Sequence, residues 1–311
     1  MKRKVNFVLF LIIHLVWSCK MDKEDVIKQY NTDKDLSNKE LQDIILSDLN
    51  LSGISFSNSK LQGASFVNTD LSYAYLDCAD FSRVSFINAK LNNAFLLKSN
   101  LNQADFRGAN FRGADLRNLD FRKSKKLVNV DFRDSKLNSA NFENQQLDNL
   151  NLTNADMGGV NLRNASLKSA FLTNCNLDGA DFKGANLEGA NLEGANLRGA
   201  DFTDANLIGA NLRGAIFGKT NFQNSKFSES SNLSQTNIKD AIYIDPEVLS
   251  RYSDHDCAIV LKKGTDEVGS EIIHWLEVKN IKTGKIERVT NQHLFIWETI
   301  SLGDGQICNY K

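Results

Sequence analysis

A large apolar residue recurs at every fifth position through most of this chain, and few folds accommodate that spacing. The series runs Leu46, Leu51, Phe56, Leu61, Phe66, Leu71, Leu76, Phe81, Phe86, Leu91 and on to Phe121. One residue is inserted around Lys123 to Lys126; the register resumes at Leu127 and Phe132 and holds to Phe227. A second one-residue insertion near Ser230 leads to Leu233, Ile238 and a fading Tyr243. We call the large residue the centre of each five. Two residues before it stands a small side chain, as at Ala64, Ala74, Ala104 and from Ala180 to Ala215. Two residues after it stands turn chemistry, as at Gly63, Gly108, Gly113, Asn144, Asn149 and Gly179.

A period of five matches neither the 3.6 of a helix nor the 2.0 of a strand. It suits a short extended segment that corners once per unit. Positions two apart in an extended segment face the same way, so centre and small residue both point inward. Gly and Asn tolerate the left-handed backbone that tight corners require. Phe66, Phe86 and Phe106 lie twenty apart, as do Phe182, Phe202 and Phe222, while Phe121 and Phe142 are separated by twenty plus the inserted residue. Rings stacked in one column give that spacing when each coil has four sides.

The stretch from Ala180-Asp181-Phe182-Lys183-Gly184 to Ala210-Asn211-Leu212-Arg213-Gly214 resembles the pentapeptide-repeat family, whose pattern is A-(D/N)-L-x-x. The resemblance covers residues 46–243 and implies an all-β fold, a right-handed quadrilateral β-helix of roughly ten coils. At the usual strand spacing of ~4.8 Å that rod is about 45–50 Å long. The pattern weakens where Ile44, Leu49 and Ile54, and later Lys125, Val130, Gln145 and Leu150, take the small position, so wider or irregular coils are expected there.

The chain opens with Lys2, Arg3 and Lys4 before an apolar run from Val5 to Val16, too short to span a membrane, which reads as a signal peptide over residues 1–18. Val16-Trp17-Ser18-Cys19 resembles a bacterial lipobox, with the bulky Trp17 as a departure. That resemblance implies a lipid-modified Cys19 and a lipid-anchored tether over 19–36; ordinary cleavage leaving a free Cys19, in a soluble periplasmic or secreted protein, is the alternative. Ser37-Asn38-Lys39-Glu40 has the Ser-x-x-Glu form of a capping box, predicting an N-terminal capping helix over 37–45.

After Tyr243 the repeat stops. Asp245-Pro246 predicts a short helix to Tyr252. Alternating runs at Cys257–Lys262, Glu271–Asn280, Lys285–Thr290 and His293–Leu302 then predict a small antiparallel β domain within 244–311, with a hairpin at Thr283-Gly284. Cys257 and Cys308 bracket it and are a candidate disulfide, the alternative being two free buried thiols. Cys175 falls at a small inward position and reads as core packing.

Neither cofactor nor metal is implied: His255, Asp256, Cys257, His274 and His293 have no recurrent zinc spacing, and no catalytic motif appears, so the reading is non-enzymatic. Arg107, Arg112, Arg117 and Arg122 share one phase in four successive fives, which puts one on each side of the coil as a basic belt. Arg133 continues it, stacked over Arg112 across the insertion. That belt is a candidate interaction surface for an acidic partner or lipid headgroups, against a solvated face of mixed charge.

Between Leu41 and Tyr243 there are 21 acidic and 21 basic residues, a net charge of zero. The quinolone-resistance branch of the resembled family mimics DNA to bind gyrase, which requires a strongly acidic cytoplasmic rod; neutral charge and an export signal oppose that alternative. A neutral chain is no polycationic nucleic-acid binder either. The expectation is an envelope lipoprotein whose rod presents a rigid surface to a protein or envelope partner. A ligand-binding or enzymatic role of the C-terminal β domain is the remaining alternative.

Overall fold

The computed structural model describes residues 21–125, 127–228, 231–233, 236 and 241, together with four strands near the C-terminus. The first of these regions winds as a coil. Parallel bridges join residues twenty apart, from Asp35 with Ser55 to Phe95 with Asp115. The spacing becomes twenty-one across the insertion, at Asn110 with Asp131 and Asp120 with Asn141, and returns to twenty from Asp131 with Asn151. Four fives therefore make one turn, and each five supplies one side.

Every backbone donor in a regular five can be followed. In the five centred on Leu71, the Leu71 N–H donates to Lys90 O at 2.7 Å and the Tyr73 N–H to Asn92 O at 2.8 Å, both in the next coil. The Tyr75 N–H donates back to Ile54 O at 2.9 Å, and the Ala74 N–H closes the corner on Leu71 O at 3.1 Å. That leaves the N–H of Ser72, which donates to the Asp70 carboxylate at 2.9 Å. The same bond recurs at Arg112 with Asn110, Glu143 with Asn141 and Lys183 with Asp181. Asn and Asp precede the centre because they accept the one N–H that the coil leaves unpaired. Corner residues sit at positive φ, such as Gly53 at 74°, Gly63 at 73° and Asn144 at 62°, as a turn with a left-handed third residue demands.

Inside, the centres stack in columns. Phe66, Phe86 and Phe106 follow one another with centroids 5.4 Å apart, and Phe182, Phe202 and Phe222 at 4.5 and 5.1 Å. Phe121 and Phe142 stack at 4.6 Å across the insertion. The small inward residues are buried beside them. Where one is Ser or Thr, its hydroxyl finds a carbonyl: in the preceding coil for Ser59 on Leu36 O, Thr69 on Leu46 O and Thr220 on Leu197 O, each at 2.7 Å, and in its own coil for Ser135 on Phe132 O at 2.6 Å. Cys175 fills the same niche, its thiol 2.9 Å from Leu152 O.

The N-terminal end departs from expectation. Residues 37–45 form no helix; they belong to the first coil, with Leu36 and Leu41 as fully buried centres. Lys34 and Lys39 stand at the small position there, which hides the pattern in the sequence. The helix lies earlier, as α1 (Lys23–Thr32), inside the stretch expected to be a tether. Its capping box is Asp22 with Asp25: the Asp25 N–H donates to the Asp22 carboxylate at 3.0 Å and the Asp22 N–H to Asp25 at 3.2 Å. Val26 is buried against the coil. Polar groups of α1 and its exit meet carbonyls of the first coil that no earlier coil covers: Lys23 reaches Ser47 O at 3.5 Å, while Tyr30 and Lys34 reach Ser52 O at 3.1 and 3.0 Å. This is how an open strand edge is covered at the end of a solenoid.

The coils around Ile44, Leu49 and Ile54 keep the regular spacing, so the irregularity expected there does not occur. Near the first insertion the ladder does open. No bridge joins Asn100 to Asp120, and among the described residues no backbone acceptor meets the Leu101 and Asp120 N–H groups. The opening is a shallow cavity of about 210 Å³ lined by Ser99 to Asn102, Asp120 and Lys123. The Gln145 amide, at a small position, donates to Phe121 O at 2.9 Å and bridges the far side.

The four C-terminal strands are β1 (Cys257–Val268), β2 (Glu271–Asn280), β3 (Ile286–Thr290) and β4 (Gln306–Cys308). They form one sheet in the order β3-β2-β1-β4 with antiparallel pairing throughout. β1 runs six residues beyond the expected Lys262 and carries an irregularity between Val260 and Lys262, and β4 was not expected. The expected helix to Tyr252, the turn at Thr283-Gly284 and the strand His293–Leu302 lie outside the described residues.

Candidate interaction surface

The arginine belt folds into pairs with carboxylates of its own fives. Asp-x-Arg places an acid just before the centre and the arginine just after it, on the same outer side of one extended segment. Arg107 grips Asp105 with two bonds of 2.9 and 2.8 Å, and Arg117 grips Asp115 at 2.8 and 2.7 Å. Arg122 with Asp120 and Arg133 with Asp131 repeat the geometry. Arg112 has Asn110 before its centre and bonds instead to Asp134 of the following coil, at 2.8 Å. Arg112 and Arg133 do stack, since the Gly113 N–H donates to Arg133 O.

Burial acts to raise the Asp105 and Asp115 carboxyls, yet bonds from Arg107 and Arg117 outweigh it and hold both below the usual carboxylate range. The bond from Arg122 is the leading influence on Asp120, in the same direction. The belt is thus a ring of ion pairs rather than bare positive charge. The acidic section beyond it is matched in the same way, by Arg163 with Asp181, Lys168 with Glu188 and Lys183 with Asp201.

The distinctive uncovered feature is aromatic. Tyr75 and Phe95 stand just before their centres, where Asn or Asp is the rule, on one side of successive coils. They are 51% and 37% exposed, and their rings stack at 5.3 Å and 8°. Tyr73, 58% exposed, is the corner residue leading into Tyr75. Phe95 offers no acceptor to the Leu97 N–H, and Asp77 of the coil before supplies one at 2.8 Å. Two aromatic residues twenty apart in the Asn/Asp phase were the available sequence signal, and reading for charge passed over it.

Cys19 lies outside the described residues. Cys257 and Cys308 are Cα partners in the register of β1 and β4. Among the described residues no group of His, Cys, Asp or Glu is arranged to hold a metal ion, and no helix is long and apolar enough to cross a membrane.

Sequence profiles for the pentapeptide repeat region match residues 125–202, and for pentapeptide repeats (8 copies) residues 50–86, 79–118 and 195–242. The chain belongs to the pentapeptide-repeat family. Its coil is accordingly the right-handed quadrilateral β-helix of that family. Among solved members, HetL of Nostoc sp. strain PCC 7120, involved in heterocyst differentiation regulation, is 26% identical over 71% of this chain and 97% of its own, with a TM-score of 0.40. A pentapeptide repeat protein from the cyanobacterium Cyanothece 51142 is 32% identical over 38% of this chain and 88% of its own, with a TM-score of 0.29. Full-length QnrB1, a plasmid-mediated fluoroquinolone resistance protein, is 20% identical over 65% of this chain and 96% of its own, with a TM-score of 0.21. At these scores nothing specific to those proteins carries over. No curated protein matches the chain.

Proposed function

We propose that this pentapeptide-repeat protein is an exported, lipid-anchored rod that binds a protein partner through the side bearing Tyr73, Tyr75 and Phe95. The observation that carries the reading is that stacked pair, which puts two exposed rings in successive coils at a position where Asn or Asp is the commonest residue. Exposed Tyr and Phe on a rigid frame supply apolar contact area at low entropic cost, the currency of protein–protein contacts. The interior supports the same reading, because stacked centres and small residues fill it and leave functional chemistry to the outside. The paired arginines become a secondary contact of mixed charge.

The lipobox-like Ser18-Cys19 supports anchoring, and α1 supports an N-terminal attachment, since it packs on the coil within a few residues of Cys19. Two measurements test the proposal. Mass spectrometry of the N-terminal peptide should find lipid-modified Cys19; retention of Met1 or an unmodified Cys19 removes the anchor. Affinity capture from intact envelopes should lose its main protein partner with Tyr75→Ser/Phe95→Ser and keep it with Arg112→Glu/Arg133→Glu. The reverse pattern moves the surface to the belt.

A further inference from the structure

We infer that Cys257 and Cys308 are a redox pair whose disulfide clamps β4 to the C-terminal sheet. The observation is register: Cys257 is the Cα partner of Cys308 in the antiparallel pairing of β1 with β4. Directly opposed residues of such a pair lie about 4.5 or 5.5 Å apart between Cα atoms, according to their place in the ladder. Both values fall within the roughly 4.4–6.8 Å that a disulfide spans, so the register meets the Cα spacing the bond requires.

The clamp has a place where it matters. β4 pairs over three positions only, Cys257 with Cys308, Ala258 with Ile307 and Ile259 with Gln306. It is also an edge strand of the sheet. Three paired residues are a weak hold on a strand whose partner lies far back in sequence, and loop-closure entropy opposes the contact. A covalent link removes that opposition by keeping the ends together.

The two described cysteines of the coil differ in reactivity. Cys175 is buried and its thiol is pushed up to about 12 by that burial, so almost no thiolate forms at neutral pH. Cys78 is an exposed corner residue of the coil. The reaction is thiol–disulfide exchange with a small or protein-borne disulfide. One cysteine thiolate of the pair attacks a donor sulfur and expels a donor thiolate. The other then attacks the mixed disulfide and expels the second. Two cysteine thiols are oxidised, one donor disulfide is reduced, and the two protons end on the donor thiols.

The biological consequence rests on the export half of the proposal above, because such bonds persist in oxidising compartments. The chemical test does not depend on it. The purified full chain is equilibrated with mixtures of reduced and oxidised glutathione, quenched with an alkylating agent, digested and mapped by mass spectrometry. The expected result is a Cys257–Cys308 peptide pair lighter by two hydrogen atoms, with Cys78 and Cys175 recovered alkylated, and the same link in a Cys78→Ser/Cys175→Ser variant. Recovery of Cys257 and Cys308 as free thiols or as separate glutathione adducts overturns the inference. A link from either to Cys78 does so as well. Absence of lipid on Cys19 would leave this result untouched.

Discussion

Phe202 and Phe171 are the same residue type one phase apart, and replacing each with Ala separates the interior of the coil from its surface. Phe202 is a centre, fully buried, with Phe182 stacked at 4.5 Å on one side and Phe222 at 5.1 Å on the other. Phe171 precedes a centre and is 48% exposed. Truncating a buried Phe to Ala costs about 3–5 kcal/mol, combining lost transfer energy with the cavity left behind. The upper half of that range is expected here. Two ring contacts of about 0.5–1.5 kcal/mol each disappear together, and the coil above and below is held by a continuous backbone ladder that resists collapse into the gap. Phe171→Ala leaves the bridges to Asn151 and Asn191 in place and removes a partly solvated ring, so its effect should stay within about 0.5 kcal/mol.

Urea unfolding followed by far-ultraviolet circular dichroism measures both. A solenoid is stabilised through nearest-neighbour coils, so Phe202→Ala should split the transition, with the coils around Phe182 to Phe222 melting first. Hydrogen exchange should show the same coils losing protection. Equal midpoints for the two variants would refute the inward assignment of the centre column, and with it the register from which every other position is named.

Three further outcomes follow from the same geometry. The Asp105 carboxyl lies below its ordinary value, so its contribution to stability is present above the unfolded carboxylate pKa and is lost as pH falls through the folded one. Arg107→Ala should therefore lower the melting temperature at pH 7 and flatten the acid limb, whereas Lys98→Ala should do neither; parallel acid limbs in all three proteins would reject the pairing. At the open ladder, the Leu101 and Asp120 amides should exchange about tenfold or more faster than those of Leu96 and Asp115, which are bonded, in line with the worth of one hydrogen bond. Asp22→Ala removes the acceptor that caps α1 and should cost about 1 kcal/mol, read as earlier fraying of the first coil by hydrogen exchange; an unchanged exchange pattern would mean that α1 does not guard that edge.

Much of the coil was legible because its constraint is local and repeated. The spacing of Phe66, Phe86 and Phe106 announced four sides, and the rings stack in that column. The first coil was hidden for a physical reason. At the end of a rod the small position is covered on one side only, so Lys34 and Lys39 are admitted where Ala rules elsewhere, and a search keyed to Ala starts too late. The capping box at Ser37 misled because Ser and Glu also suit the outer positions of a coil. The pairing within the basic belt was not legible because one-dimensional counting sees Arg107 and Asp105 as separate charges, while an extended segment puts residues two apart on one side, where they join.

That same alternation explains how a functional surface can be told from a structural one on this rod. The residue before each centre has a duty, to accept the N–H of the residue after it, and Asn or Asp perform it along most of the coil. Frequency at that position therefore says nothing about partners. A departure says more, because the coil must find its acceptor elsewhere or leave the donor to water. At Phe95 it finds Asp77 of the preceding coil, and at Ser166 it finds Asp148, which takes the Lys168 N–H at 2.9 Å. The Ser166 substitution stays polar and joins that carboxylate through its own hydroxyl at 2.6 Å, so local bonding accounts for it. Tyr75 and Phe95 are different: they exchange a needed acceptor for exposed rings, in two successive coils and on one side. The two rings stack on each other and remain 51% and 37% exposed. A surface that gives up its local Asn or Asp acceptor for stacked, exposed aromatic area in two successive coils is best explained by something outside the rod that covers it.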